Sequence, residues 1–371
     1  MRAVERAFSG ARLRLARAFN GWTQVELARR VEASHQYVAF LEAEQKRPTE
    51  LLVAALASAC GFEPSFFYAG DLREFRDEQC HFRRRQSTSV GVRVRLLAHG
   101  TLFAQLVDFL DHEVSLPDVS VPDMRARGRL EIETSAEQCR TQMGLGGHRP
   151  IGNMARVLEN AGVVVTQFVG FAEKVDAFSM TGPRNVVVLN LDKGSASRSR
   201  FDMAHELGHL VLHGGQEAGS PEMEAEADRF ASAFLLPRMG YVREFPRRDR
   251  LDWAGLFALK QRWKVSVAAM VRRAYDLRLI DAIQYRQAYK HMSGRGWLRG
   301  EPHEFEPERP EVVCLALDVL ERQGRSRRSV CSELGWAPAT FARVVGEELP
   351  DEPPRPRIAN VLRLHTKSRD H

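Results

Sequence analysis

The sequence predicts an α+β protein with an all-α N-terminal domain, a central unit built on a small mixed sheet, and a helical C-terminal region. Three observations carry this. Residues 10–70 show short stretches of helical apolar spacing, punctuated by capping and stop residues. Two valine-rich, strand-like runs, 163–168 and 185–191, stand between helical segments. Helical patterning then resumes and continues to about residue 346.

The elements follow in order. Leu13, Leu15 and Ala16 have helical spacing, as do Val25, Leu27, Ala28 and Val31. Thr23, with Glu26 three residues on, reads as a capping box. Ser34 is an N-cap candidate for a helix from His35 to Glu42, with Val38 and Leu41 inward. Pro48 and Thr49 open a helix that Gly61 ends and Pro64 stops. Five helices are expected in this domain, 1–70. Residues 71–130 read as a helical connector, with a basic knot at 83–85 and the loop LPDVSVPD at 116–123. The second unit, 131–300, starts with a Glu-rich helix and a helix over 151–161 ended by Gly162. The two strands follow, then strong helices near 198–213 and 221–236, and a basic helical stretch over 250–292. The strand at 185–191 is either interior or an open edge that could take a peptide by strand addition. A Glu/Pro-rich run from residue 301 to 310 reads as a linker into a helical C-terminal domain and tail, 301–371.

Composition removes several classes. At roughly 100–200 residues per domain, 371 residues allow two or three domains. A hydrophobic share of 44% is enough to bury real cores. Lys plus Arg number 54 against 48 Asp plus Glu, and the resulting +6 leans mildly toward polyanionic partners. The longest apolar run, from Leu51 to Phe62, falls far short of the roughly 20 residues that span a bilayer. The charged N-terminus lacks the apolar core of a secretory signal. The 5 cysteines are scattered and never form CxxC, which argues against a disulfide framework or a cysteine-based zinc site. A soluble, cytoplasmic protein with no membrane partner is expected.

The sharpest chemical signal is His205-Glu206-Leu207-Gly208-His209. On a helix, His205 and His209 lie one turn apart on one face, so both imidazoles can reach one ion. Glu206 beside them can take a proton from water during catalysis. HExxH needs a third ligand. His213 shares the face but lies roughly 12 Å from His205 along the axis, so it is read as packed or hydrogen-bonded. The next helix opens at Ser220-Pro221 and carries Glu222, Glu224, Glu226 and Asp228. Glu224 shares a row with Ala227, Asp228 and Ala231, whose small side chains permit close approach to the HExxH helix. Glu224 is therefore preferred as third ligand, with Glu226 as the fallback. Asp228, one turn on, is read as a buried acceptor for a ligand histidine. Three protein ligands would leave one position open for water, as a catalytic Zn2+ site requires.

The segments RSRFDMAHELGHLVLH and EMEAEADRFASAFLLP resemble the ImmA/IrrE family of zinc metallopeptidases. The resemblance covers about 130–300 and includes the AGVVV and VVVLN strands. It implies a zincin-like metallopeptidase domain, a zinc site completed by the glutamate matching Glu224, and cleavage of a partner repressor.

Residues 12–50 have helix-turn-helix spacing and resemble the XRE family. Ser34, His35, Gln36 and Tyr37 match its recognition-helix positions. Arg47, with Arg29, Arg30 and Lys46, could meet backbone phosphates of double-stranded DNA. Glu32 stands where that family usually has a turn glycine, so a non-glycine must adopt the sharp conformation. Two further segments, 256–273 and 326–345, have similar spacing.

The leading expectation is a zinc-dependent endopeptidase fused to a DNA-binding domain. It would act as a transcriptional or stress regulator on a protein substrate such as a repressor, as a homodimer by analogy with half-site readers. The rivals are a non-catalytic regulator that uses the peptidase fold for sensing or docking, and a toxin–antitoxin or phage-defence component.

Overall fold

The computed structural model describes residues 7–70, 80–82, 90–126, 128–168, 177–190, 194–214, 216, 220–247, 250–346 and 365–366, with backbone only for 80–82 and 365–366. The basic knot at 83–85 and nearly all of the tail beyond 346 lie outside the described residues. In chain order the first helices are α1 (Gly10–Phe19), α2 (Gln24–Arg30), α3 (His35–Glu42) and α4 (Glu50–Cys60). A short strand β1 (Cys80–Phe82) precedes the long helix α5 (Val90–Glu113) and β2 (Val114–Ser115). Helices α6 (Arg129–Gln142) and α7 (Met154–Asn160) lead to β3 (Val164–Phe168), β4 (Ala177–Met180) and β5 (Val186–Asn190). Next come α8 (Ala196–Leu212), α9 (Pro221–Leu235), α10 (Arg238–Glu244), α11 (Trp253–Trp263), α12 (Val267–Asp276) and α13 (Ala282–Gly294). Last are α14 (Val312–Arg322), α15 (Arg327–Leu334), α16 (Pro338–Val345) and β6 (His365–Thr366). No described helix is long and apolar enough to cross a membrane.

The chain divides into two compact units, residues 1–77, 86–116 and 312–371 in one and residues 78–85 and 117–311 in the other. In the first, local signals set the helix ends. Thr23 and Glu26 form the reciprocal capping box, Ser34 Oγ accepts from the Tyr37 N–H, and Gly61 takes the left-handed conformation at φ 81°. Where five helices are expected, four α-helices and a 3-10 turn, Pro64–Tyr68, form. That turn buries Phe66 and Phe67 completely, each contributing roughly 1.5–3 kcal/mol.

The later helices of this unit pack on the early ones. The Glu63 N–H donates to Gly335 O at 2.8 Å, and Phe62 pairs with Trp336. Arg343 on α16 donates to Asn20 Oδ1 at 3.0 Å. Helix α5 buries Leu96, Leu102, Leu106 and Leu110, and its His99 Nε2 contacts Arg343 O at 3.0 Å. Residues 71–130 and 301–371 look like a connector and a separate domain in the sequence. In the structure α5 and α14–α16 supply apolar faces that complete the N-terminal core.

In the second unit the sheet has the order β1-β4-β5-β3. Strand β3 runs parallel to β5, and the other pairs are antiparallel. The sheet is thus mixed, as the sequence suggests. Strand β5 is hydrogen-bonded on both sides, with Val188 paired to Phe178 and to Thr166, so it offers no edge for strand addition. Strand β4 gives no alternating signal because all four of its residues, AFSM, are buried.

Helices α8 and α9 pack at close range. A Cβ on Gly208 would come within 3.2 Å of both Ala227 Cα and Ala227 O, so the glycine of HELGH lets the two backbones approach. Phe230 and Phe234 stack at 5.6 Å in the core beneath. The Glu/Pro-rich run after residue 300 is strapped down rather than free. Buried Lys260 bonds Glu301 at 3.0 Å and Glu304 at 2.8 Å. Glu308 pairs with buried Arg200 and accepts from the Met154 N–H at the start of α7.

Candidate metal centre and nucleic-acid interface

Helix α8 places His205 and His209 one turn apart, 0% and 1% exposed. Their Nε2 atoms face each other at 3.1 Å. Glu224, in the first turn of α9, completes the group. Its carboxylate lies 3.5 Å from His205 Nε2 and 3.3 Å from His209 Nε2. The ligand atoms of these three residues lie within 4.8 Å of one another, and no other such His/Cys/Asp/Glu group occurs among the described residues.

The donors fit a zinc ion. Metal–ligand bonds of about 2.0–2.1 Å at tetrahedral angles separate neighbouring donors by about 3.3 Å, close to the three spacings observed. Tautomer chemistry agrees. His205 Nδ1 contacts Asp228 Oδ1 at 2.8 Å. The carboxylate can only accept, so Nδ1 carries the proton and Nε2 presents a lone pair. A lone pair on His205 Nε2 and a carboxylate converging at such range suit a bound cation. Burial holds His209 down at about 4, keeping it neutral and able to ligate. Burial opposes ionisation of Glu224, but the adjacent His205 and His209 side chains outweigh it and hold that carboxyl well below the usual range.

Glu206 is fully buried on the same helix. Burial pushes its carboxyl up to about 7, while His205 and the Ser179 hydroxyl on β4 pull it back. Neither carboxylate oxygen has a well-formed hydrogen-bond partner among the described residues. An ionisable oxygen left unpartnered in the interior is costly, and such a cost is a mark of a functional group. Ser179 was missed in the sequence, where β4 itself left no signal.

The remaining acidic side chains sort themselves by contact. Glu226 does not approach the ligand cluster and instead accepts from His213 Nε2 at 3.0 Å. His213 is hydrogen-bonded and nearly fully buried. Asp228 does reach His205, but its side chain is 50% exposed, not buried as its alanine row suggests. The row faces α8 on one side only, and Asp228 sits at its rim.

On the nucleic-acid side, Ser34, His35, Gln36 and Arg47 are exposed and Tyr37 is partly so. Tyr37 donates to Arg47 O at 3.1 Å, tying the start of α3 to the following turn. Lys46 Nζ lies 5.1 Å from the Phe40 ring centroid and 5.6 Å from that of Tyr37. Glu32 takes φ 52° in the turn between α2 and α3, the strained conformation expected of a non-glycine there. Buried Glu42 ends α3 and is clamped by Arg17 and Gln24, at 2.5 Å and 2.8 Å. The other two helix pairs of similar spacing are already engaged. The α12 N–H groups of Val267 and Ala268 are filled by Glu301, and α16 packs within its own unit through Thr340 and Arg343.

Residues 158–275 match the sequence family described as the IrrE N-terminal-like domain, and residues 10–65 match a helix-turn-helix domain family. No curated protein gives a significant match over the chain. The chain joins an N-terminal XRE-type helix-turn-helix domain to an IrrE-like metallopeptidase domain of the HExxH-plus-glutamate type, the architecture of the ImmA/IrrE family.

Proposed function

We propose that this protein is a cytoplasmic zinc endopeptidase that regulates transcription or a stress response by cleaving a partner protein, such as a repressor, while its N-terminal domain binds double-stranded DNA. The observation that carries the reading is the trio His205, His209 and Glu224 with a fully buried Glu206 beside it.

In this mechanism His205, His209 and Glu224 would hold the ion. A bound zinc ion supplies Lewis acidity toward the scissile carbonyl and the attacking water. Glu206 takes the proton that the water loses as its oxygen adds to the carbonyl carbon. The same carboxyl then gives that proton to the amide nitrogen as the C–N bond breaks. Asp228 keeps the His205 ring oriented. On DNA, Ser34, His35, Gln36 and Tyr37 would face base edges and phosphate, and Arg47 the backbone. A homodimer on paired half-sites is the expected form.

The test incubates the zinc-loaded protein with products of neighbouring genes and seeks fragments by mass spectrometry. Glu206→Gln should keep its zinc and lose cleavage by about 10²–10⁴-fold. Undiminished cleavage in that variant would overturn the mechanism.

A further inference from the structure

The HExxH helix carries a third histidine in step with the first two. His213 follows His209 by one turn, too far along the axis to share an ion with His205. It is 3% exposed in its side chain, and its ring sits 5.3 Å from that of His209. Its two nitrogens are both engaged. Nδ1 contacts His209 Nδ1 at 3.1 Å, and Nε2 contacts Glu226 Oε2 at 3.0 Å.

These contacts constrain where each proton sits. The Glu226 carboxylate can only accept, so His213 Nε2 is the donor. A neutral His213 then has a lone pair on Nδ1. His209 Nδ1 must therefore carry a proton and donate it to that lone pair. This leaves the His209 Nε2 lone pair facing His205 Nε2 and Glu224. We infer that His213 and Glu226 form a relay that positions His209 as a metal ligand, fixing its tautomer and ring orientation from outside the cluster. The two ligand histidines are thus supported differently. His205 meets a carboxylate directly in Asp228, whereas His209 is reached by a carboxylate only through a buried imidazole.

The inference rests on the metal-site reading, and its test does not use cleavage. Zinc affinity of the full chain is measured by competition with a chromophoric chelator. His213→Leu and Glu226→Leu should each weaken binding by about 10–100-fold. His213→Gln returns an acceptor oxygen opposite His209 Nδ1 and should recover most of that loss. Glu226 lies at the partly exposed edge of α9, so Glu226→Leu serves as the variant that keeps the fold. A Glu226→Leu affinity within about twofold of wild type, well below the loss expected of such partners, overturns the relay while leaving the metal site standing. A wild-type chain that binds no zinc overturns both the relay and the metallopeptidase reading.

Discussion

The α8–α9 pair and the α2–α3 pair both present polar side chains for chemistry, but on opposite terms. In α8–α9 the histidines and Glu206 are buried, and His205, His209 and His213 each meet a neighbour that orients the ring. In α2–α3 the side chains proposed for recognition, Ser34, His35 and Gln36, are exposed, and what is fixed is the scaffold beneath them. There the buried polar work is done by Glu42, which holds Arg17 and Gln24 in place. An ion demands donors placed to within a fraction of an ångström, which only a packed interior enforces. Base edges and phosphates are met from the surface by side chains that adjust on contact.

The contrast can be broken where it is sharpest. Glu42→Leu leaves Arg17 without its carboxylate partner and should destabilise the first unit by about 3–5 kcal/mol, the usual penalty for halving a buried pair. Zinc content should stay unchanged, because no ligand lies in that unit. Calorimetry with parallel metal analysis reads both, and loss of zinc in this variant would contradict the independence of the two regions.

Glu206 tests the buried side from another direction. Its carboxyl stands at about 7 in the fold against an ordinary value of 4.5. The protonated form is thus favoured by folding. That stability is complete below about pH 4.5 and is lost as pH rises through about 7. The loss is at most about 3 kcal/mol for a shift of this size. Metal-free Glu206→Gln should therefore be the more stable chain at pH 8, with the difference gone by pH 4. Urea titrations at the two pH values measure it. Equal stability at pH 8 would mean that the carboxyl is better solvated than its burial indicates.

The smallest effects belong to the exposed region. Gln36→Ala should cost about 1–3 kcal/mol on the best duplex and relax discrimination at one position. Arg47→Ala should weaken all duplexes alike and lower the salt slope by about 1. Gel retardation over a salt series distinguishes them, and neither variant should change cleavage or zinc binding.

Much of this was legible in the residues, and for local reasons. The Thr23–Glu26 capping box, the Ser34 cap and the left-handed Gly61 depend on a few neighbouring residues and appear where the sequence places them. HExxH and the choice of Glu224 over Glu226 were legible because helical period alone sets which side chains share a face. Strand β4 was not, since a fully buried four-residue strand carries no alternation. The run after residue 300 looks like linker because glutamate and proline are typical of exposed chain. Its carboxylates in fact meet Lys260, Arg200 and helix N-termini.

The sequence by itself determined the helix ends, the two-histidine spacing and the acidic row that supplies the third member of the cluster. All of these follow from backbone geometry acting over one or two turns. Only the tertiary structure decided that β5 is interior, that α14–α16 complete the N-terminal core, that Asp228 sits at the rim, and that His213 links His209 to Glu226. Those outcomes depend on which distant surfaces are buried against each other, and burial free energy has no local signature in the chain.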